Sequence, residues 1–191
     1  MKIDFNELLD GKIDIEEAKK ALIYLHENGE SVDTLKDAMT AMRQRMVSVE
    51  LSKDVLDEAI DNCGTGGDGL HTFNISSIAA LILASLEVFV AKHGNKSITS
   101  KSGSADMLEA LGIKLNLSPK QNATLLSDSG FCFLFAQNHH PCMKFIMPIR
   151  KSLPHRTIFN ILGPLCNPAN VKKHLIGVYD FEKAKIMAQA L

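Results

Sequence analysis

Cys63-Gly64-Thr65-Gly66-Gly67-Asp68-Gly69-Leu70-His71-Thr72-Phe73-Asn74-Ile75-Ser76-Ser77 runs from a glycine-dense loop, through hydroxyl and amide side chains, into the apolar stretch Ile78-Ala79-Ala80-Leu81-Ile82-Leu83-Ala84. Glycines admit positive φ and close backbone approach, so successive N–H groups can converge on phosphate oxygens. Asn74, Ser76 and Ser77 stand where the following helix begins, and the free N–H groups of a helix start also favour anions. The plain alternative is a surface turn, but four glycines within residues 64–69 followed by Thr, Asn and two Ser favour an anion cradle. Gly64, Gly66 and Gly69 also match the dinucleotide spacing G-x-G-x-x-G. That reading needs an apolar strand directly before the loop and a helix directly after it. Ile60-Asp61-Asn62-Cys63 is half polar, and further loop residues separate Gly69 from Asn74. No Lys-Ser or Lys-Thr pair follows the glycines, which excludes a P-loop.

Beyond this loop, Leu86-Glu87-Val88-Phe89-Val90-Ala91 reads as a buried strand ending at Lys92-His93-Gly94-Asn95-Lys96. Strand, polar loop and helix make the βα unit of a parallel sheet, whose ligands bind at the carboxyl ends of the strands. A solvated basic loop is the bland reading of the same five residues. Ser97-Ile98-Thr99-Ser100-Lys101-Ser102-Gly103-Ser104 is a second hydroxyl-rich loop, opening a helix over 105–111 that stops at Gly112. Two such loops in consecutive βα units suit a ligand with more than one phosphate. Ile113-Lys114-Leu115-Asn116-Leu117 alternates as a strand, Ser118-Pro119-Lys120-Gln121 is a capping box, and residues 131–136 form another strand. Residues 142–151 suit a helix carrying Arg150, whose planar fork fits a carboxylate. His139 and His140 lack a carboxylate or third ligand at helical spacing, which argues against a metal. Residues 156–168, apolar but broken by Gly163, Pro164 and Pro168, read as a buried crossover. His174-Leu175-Ile176-Gly177-Val178-Tyr179-Asp180 starts a further strand, followed by a helix.

Residues 1–60 read as a helical bundle, with Leu35, Ala38, Met39, Met42 and Met46 at helical spacing behind cap candidates at 31–34. Apolar residues at 46% and charged residues at 23% are an ordinary globular balance. A net charge of -1 argues against nucleic acid or a membrane surface as partner, so any anion site is local. The apolar runs are too short to span a bilayer and the acidic start does not suit a signal peptide, so a cytoplasmic protein is expected. Cys63, Cys132, Cys142 and Cys166 show no metal or C-x-x-C spacing and read as free thiols without a catalytic role.

These motifs together resemble anthranilate phosphoribosyltransferase. The resemblance rests on Gly64-Thr65-Gly66-Gly67-Asp68, Thr72-Phe73-Asn74-Ile75-Ser76, Lys92-His93-Gly94-Asn95, Ser102-Gly103-Ser104-Ala105-Asp106, Phe133-Leu134-Phe135-Ala136 with His139-His140-Pro141, and Arg156-Thr157 through Asn167-Pro168. It implies transfer of a phosphoribosyl group from phosphoribosyl pyrophosphate to the amine of anthranilate, with Mg²⁺ assistance. It also implies an α/β fold of the nucleoside phosphorylase and phosphoribosyltransferase kind. A helical domain at 1–60, rejoined by 139–165, stands beside a parallel-sheet domain at 61–138 and 166–191 whose sheet is interrupted at residue 191. By carry-over, Gly64, Gly67, Asp68, Thr72, Asn74, Ile75, Ser76, Ser77, Lys92, His93, Gly94, Asn95, Lys96, Ser100 and Ser104 hold phosphoribosyl pyrophosphate, and Ser76 ligates Mg²⁺. Asn95, His140, Arg150 and Pro164 line the anthranilate site. Lys92, Asn95 and Arg150 carry the catalytic roles.

The family pattern further implies a homodimer through the helical domain and an amidotransferase partner. Lys96 stands where the family usually has Arg, Gln137 where it has Pro, Pro154 where it has Gly, and the helical segment before Gly64 is shorter. The family's acidic pair for a second metal lies beyond residue 191, so turnover by residues 1–191 alone is not expected. A pyrimidine nucleoside phosphorylase, with free phosphate as its anion, is the alternative enzyme, disfavoured by His139-His140-Pro141 and by residues 160–168. A ligand-binding fragment without activity is the alternative outside enzymes.

Overall fold

The computed structural model describes residues 3–66, 73–96 and 102–191. In chain order its elements are α1 (Phe5–Leu9), α2 (Ile15–Asn28), α3 (Val32–Arg43), α4 (Lys53–Glu58), β1 (Ile60–Asp61), α5 (Ile75–Ser85), β2 (Val90–Gly94), α6 (Ser104–Ala110), α7 (Pro119–Ser129), β3 (Phe131–Phe135), α8 (Ala136–His139), α9 (Met143–Ser152), α10 (Phe159–Leu162), β4 (Lys173–His174) and α11 (Phe181–Ala190). They fall into two compact units, one of residues 1–46, 140–166 and 180–191, the other of residues 47–139 and 167–179.

The first unit is helical. α3 is the shared support: α1, α10 and α11 pack on it, while α9 packs on α1 and α2. Side chains cap α1, α2, α3 and α11 through Asp4, Asp14, Ser31 and Asp180. Each cap satisfies helix N–H groups that would otherwise lack partners, a contribution of about 1 kcal/mol. Leu35 and Ala38, both fully buried, belong to the helical stripe read from the sequence. The last helix, expected beside the sheet, instead lies on α3, and Lys183 bonds Glu30 within this unit.

The second unit carries a parallel four-stranded sheet in the order β3-β2-β1-β4. α5 and α6 cover one face with Ala80, Ala105 and Leu108 against Val90, Phe131, Phe133 and Phe135. The other face buries Ala91, Cys132 and Leu134 against Val49, Val55 and Leu126. Residues 47–60, expected with the helices, belong here because Val49, Val55 and Ala59 complete that cluster. Pro119 stands in the first turn of α7 and Ser118 with Gln121 forms its capping box, as the sequence indicates.

Three strand expectations shift. The strand read at 86–91 lies at Val90–Gly94, because Leu86 still caps α5 and Glu87 turns the chain at φ 65. Residues 113–117 form no strand: Leu115 and Ile113 alternate because they cover the side of the sheet cluster, and Asn138 Nδ2 donates to Leu115 O. The strand read at 174–180 is confined to Lys173–His174: beyond Leu175 N, which bonds Asp61 O, the bond to the neighbouring segment is the one that Gly177 O accepts from Thr65 N. Conversely, Ile60 and Asp61, read as too polar for a strand, form β1 at the centre of the sheet. No helix among the described residues is long and apolar enough to cross a membrane.

His139 is structural. Its Nδ1–H donates to Val47 O at 2.7 Å and its Nε2 faces Asn122 Nδ2 at 3.5 Å. Burial pulls the imidazole below its ordinary 6.5. The folded pKa is therefore below the unfolded one, and the stability tied to the neutral ring is complete above about 6.5 and declines as pH falls below it. The urea midpoint of the wild type is expected to fall from about pH 7.5 to about pH 5.5 more steeply than that of His139→Asn. Equal slopes in the two proteins would place the acid sensitivity elsewhere.

Candidate functional site

Strand ends and helix starts bring Gly64, Asn74, Ser76, Ser77, Lys92, His93, Gly94, Asn95 and Ser104, among the described residues, to the carboxyl edge of the sheet. Alternate residues of β2 face opposite sides, so Lys92 shares the face of Val90, which packs beneath α5. Lys92 is 1% exposed, and its ammonium reaches the first turn of α5, donating to Ser76 Oγ at 3.2 Å and to Asn62 Oδ1 at 3.1 Å. Both acceptors are neutral. Burial pulls the ammonium below its ordinary value, partly offset by nearby Asp61. Lys92 and His93 thus lie within a buried strand, not in a solvated basic loop.

Asp61 ends β1 fully buried. Its Oδ1 accepts from Cys63 N at 3.0 Å and His93 N at 3.2 Å, and its Oδ2 accepts from Asn167 Nδ2 at 2.7 Å. Burial pushes its carboxyl above the ordinary carboxylate value while these donors and Lys92 act against that shift. The entrance of the glycine loop is thereby tied to β2 and to the turn before β4. Burial, reinforced by Asp61, pushes the Cys63 thiol up to about 12, so it is no nucleophile at neutral pH.

Gly64 packs closely, since a Cβ there would lie 3.0 Å from Gly177 O, the carbonyl that Thr65 N reaches at 2.9 Å. Gly66 takes φ +65 with no atom of the described residues within 4 Å of its Cβ position. Asn74 precedes α5 and links the two loop regions, donating to Gly103 O at 3.2 Å and Ser102 Oγ at 3.4 Å. Ser104 Oγ and Ala105 N both reach Asn95 O, at 3.3 and 3.2 Å. A Cβ on Gly94 would come within 2.8 Å of the Phe133 ring. Asn95 is exposed and its Oδ1 accepts from Lys96 N. The Lys96 ammonium, expected on a phosphate, pairs with Glu109 at 2.8 Å on the surface, a contact weak enough to exchange. Ile75 is 56% exposed. Ser77 Oγ is fully buried with no hydrogen-bond partner among the described residues.

The helical unit carries the others. His140 is buried ahead of α9, Pro164 is buried in a 3-10 turn after α10, and Arg150 is half-buried in α9. Arg150 Nη1 touches Met147 Sδ at 3.9 Å, and burial pulls its guanidinium below the ordinary value. Among the described residues it has no carboxylate partner. Gly67, Asp68, Thr72 and Ser100 lie outside the described residues.

Asp61, Asn62 and Asn167 escaped the sequence reading. The signal for Asp61 and Asn62 was the Asp-Asn pair just ahead of Cys63 and the glycines, which read as too polar for a strand although Asp61 is the strand's carboxyl end. For Mg²⁺, the described residues offer Ser76 Oγ and no group of three or more His, Cys, Asp or Glu. One hydroxyl oxygen suits an ion that arrives on phosphate oxygens and keeps most of its waters.

Residues 56–191 match the family described as "Glycosyl transferase family, a/b domain". The chain is 46% identical over 187 residues to anthranilate phosphoribosyltransferase of Novosphingobium aromaticivorans, covering 98% of this chain and 56% of that protein. It is 45% identical over 186 residues to the Bacillus pumilus enzyme, covering 97% and 54%. Among solved structures, anthranilate phosphoribosyltransferase of Thermus thermophilus superimposes with a TM-score of 0.91 at 38% identity, covering 97% of this chain and 56% of that one. The Saccharomyces cerevisiae enzyme in complex with PRPP and Mg gives a TM-score of 0.86 at 32% identity, with coverages of 97% and 54%. The chain spans about half the length of the relatives it matches.

Proposed function

Because this chain belongs to the glycosyl transferase family whose a/b domain it carries over residues 56–191, we propose that it binds phosphoribosyl pyrophosphate at the carboxyl edge of its sheet. We further propose that the protein transfers the phosphoribosyl group to the amine of anthranilate. The observation that carries this reading is the buried ammonium of Lys92, held by two neutral oxygens beside the first turn of α5. Its hydrogen-bond acceptors carry no charge and nearby Asp61 makes no hydrogen bond to it, so the ammonium keeps donor capacity for an anion.

In this reading the glycine loop and the first turn of α5 hold the pyrophosphate, with Ser76 and Ser77 offering hydroxyls. Ser77 Oγ, buried without a partner among the described residues, suits a ligand oxygen. As pyrophosphate leaves, negative charge grows on its oxygens and cationic character on the ribose. Lys92 stabilises the former without reorganising, because it is already placed. Ser76 would hold a Mg²⁺ that arrives with the pyrophosphate and helps neutralise the departing charge. Arg150, a half-buried guanidinium without a carboxylate partner among the described residues, is assigned to the anthranilate carboxylate, with His140, Pro164, Asn95 and Gly64 as acceptor residues. No side chain is needed as nucleophile. Gly67, Asp68, Thr72, Ser100, His93, Gly94, Lys96 and Ser104 remain assigned to phosphoribosyl pyrophosphate. The cytosol is the compartment this reading implies, and a homodimer and an amidotransferase partner belong to it as well.

Calorimetric titration with phosphoribosyl pyrophosphate and Mg²⁺ tests the proposal directly: saturable binding is expected, and its absence would overturn the site. Gly66→Ala puts a side chain into a left-handed position, costing about 1–2 kcal/mol of stability at most. It also places a methyl group, clear of the described residues, where the ligand is proposed to lie. Strain shared by the free and bound protein cancels from the affinity, so binding is expected to fall more than tenfold through the clash of the new methyl group with the ligand. Unchanged affinity in Gly66→Ala would remove this loop from the site.

A further inference from the structure

Asn62 is 6% exposed, and its carboxamide touches two elements of the proposed site at once. Oδ1 accepts from Lys92 Nζ at 3.1 Å, and Nδ2 donates to Ser76 O at 2.7 Å. The orientation of the amide follows from its partners, since an ammonium only donates and a carbonyl only accepts. The two partners lie 30 and 14 residues along the chain from Asn62, on β2 and on α5. Asn62 itself is placed by β1: the preceding residue, Asp61, is clamped by His93 N and Asn167 Nδ2, so the carboxamide is delivered from the rigid centre of the sheet.

The chemistry of the group matters as much as its position. Lysine is long and loses rotamer freedom when it is fixed. A ligand that had to order it would bind more weakly than one that finds it placed. Asn62 does this ordering beforehand, and because its oxygen is neutral it leaves the positive charge available. A carboxylate at the same point would hold the ammonium as firmly and cancel it. The second bond, from Nδ2 to Ser76 O, fixes the first turn of α5 against the same ammonium, so that hydroxyl, helix start and cation keep one spacing.

We propose that Asn62 is a positioning residue that presents the Lys92 ammonium and the first turn of α5 together to a single pyrophosphate-bearing ligand. The inference rests on the reading of this edge as the phosphoribosyl pyrophosphate site. Its test is a double-mutant cycle read by calorimetric titration of phosphoribosyl pyrophosphate with Mg²⁺ into the wild type, Asn62→Leu, Lys92→Met and the double variant. Asn62→Leu is expected to weaken binding about tenfold and Lys92→Met about a hundredfold, while the double variant stays within about twofold of Lys92→Met. A merely structural residue gives additive losses instead, and additivity would overturn the inference, as would wild-type affinity in Asn62→Leu. Should Asn62→Leu fail to fold, the nearly isosteric Asn62→Asp replaces it: with its charge beside Lys92 it is expected to lose about tenfold or more, and unchanged binding overturns the proposal. Failure of the wild type itself to bind removes the underlying site reading and this inference with it. Binding by the wild type with additive variants removes this inference alone.

Discussion

Lys92→Met is expected to lower phosphoribosyl pyrophosphate affinity about a hundredfold while the protein remains folded. The substitution keeps an unbranched side chain of similar length inside the sheet and removes the ammonium, its charge and its hydrogen-bond donors together. Hydrogen bonds to a charged group contribute about 1.5–3 kcal/mol, and the upper end of that range corresponds to about two orders of magnitude in affinity. The upper end applies because the ammonium is buried, held by neutral oxygens and unscreened by solvent. The structural cost is separate. Asn62 Oδ1 and Ser76 Oγ lose a donor, at about 1–3 kcal/mol for an unsatisfied buried acceptor, offset in part by removing a desolvated cation. Titration calorimetry beside a thermal melt separates the two effects. Affinity within threefold of the wild type would show that the ammonium does not face the anion.

Arg150→Ala is expected to weaken anthranilate binding about thirtyfold, the loss of a bidentate charge-assisted contact of about 2 kcal/mol. Phosphoribosyl pyrophosphate affinity should scarcely change. The structure adds a second expectation. Burial disfavours the charged guanidinium, and its side-chain contact is a thioether 3.9 Å away. Removing such a cation relieves a desolvation cost, so the melting temperature should hold or rise while acceptor binding falls. Arg150→Lys keeps the charge but not the planar fork and should lie between the two. Anthranilate fluorescence titration reads the acceptor arm. Equal losses for both ligands, or a large loss of stability, would return Arg150 to an ordinary structural role.

Both residues were legible as chemistry and not as geometry. Lys92 was read in a loop after a strand at 86–91, whereas it lies inside β2, Val90–Gly94, which starts four residues later. The apolar run Leu86 to Ala91 has strand composition throughout, and nothing local marks that α5 continues to Ser85 and that Glu87 turns with positive φ. Residues 113–117 erred for the opposite reason. Their alternation is real, but alternation reports one-sided burial, and Ile113 and Leu115 obtain that by lining a cluster without a neighbouring strand.

What the sequence by itself determined is whatever depends on short-range chemistry: a helix following the glycine-rich stretch, the capping box at Ser118 and Gln121, the cap ahead of α3, the parallel βα succession and the candidate charges. Backbone conformation at glycines and hydrogen bonds across three residues are local, so residue type and spacing decide them. Only the tertiary structure decided that Asp61 ends a central strand with Asn62 next after it, that Asn167 reaches Asp61 across 106 residues, and that α11 lies on α3 in the helical unit. The physical reason is that a buried polar side chain is stabilised by its partners. Those partners, Lys92, Ser76, His93 and Asn167, are brought to one place by sheet order and helix packing, which no local pattern encodes.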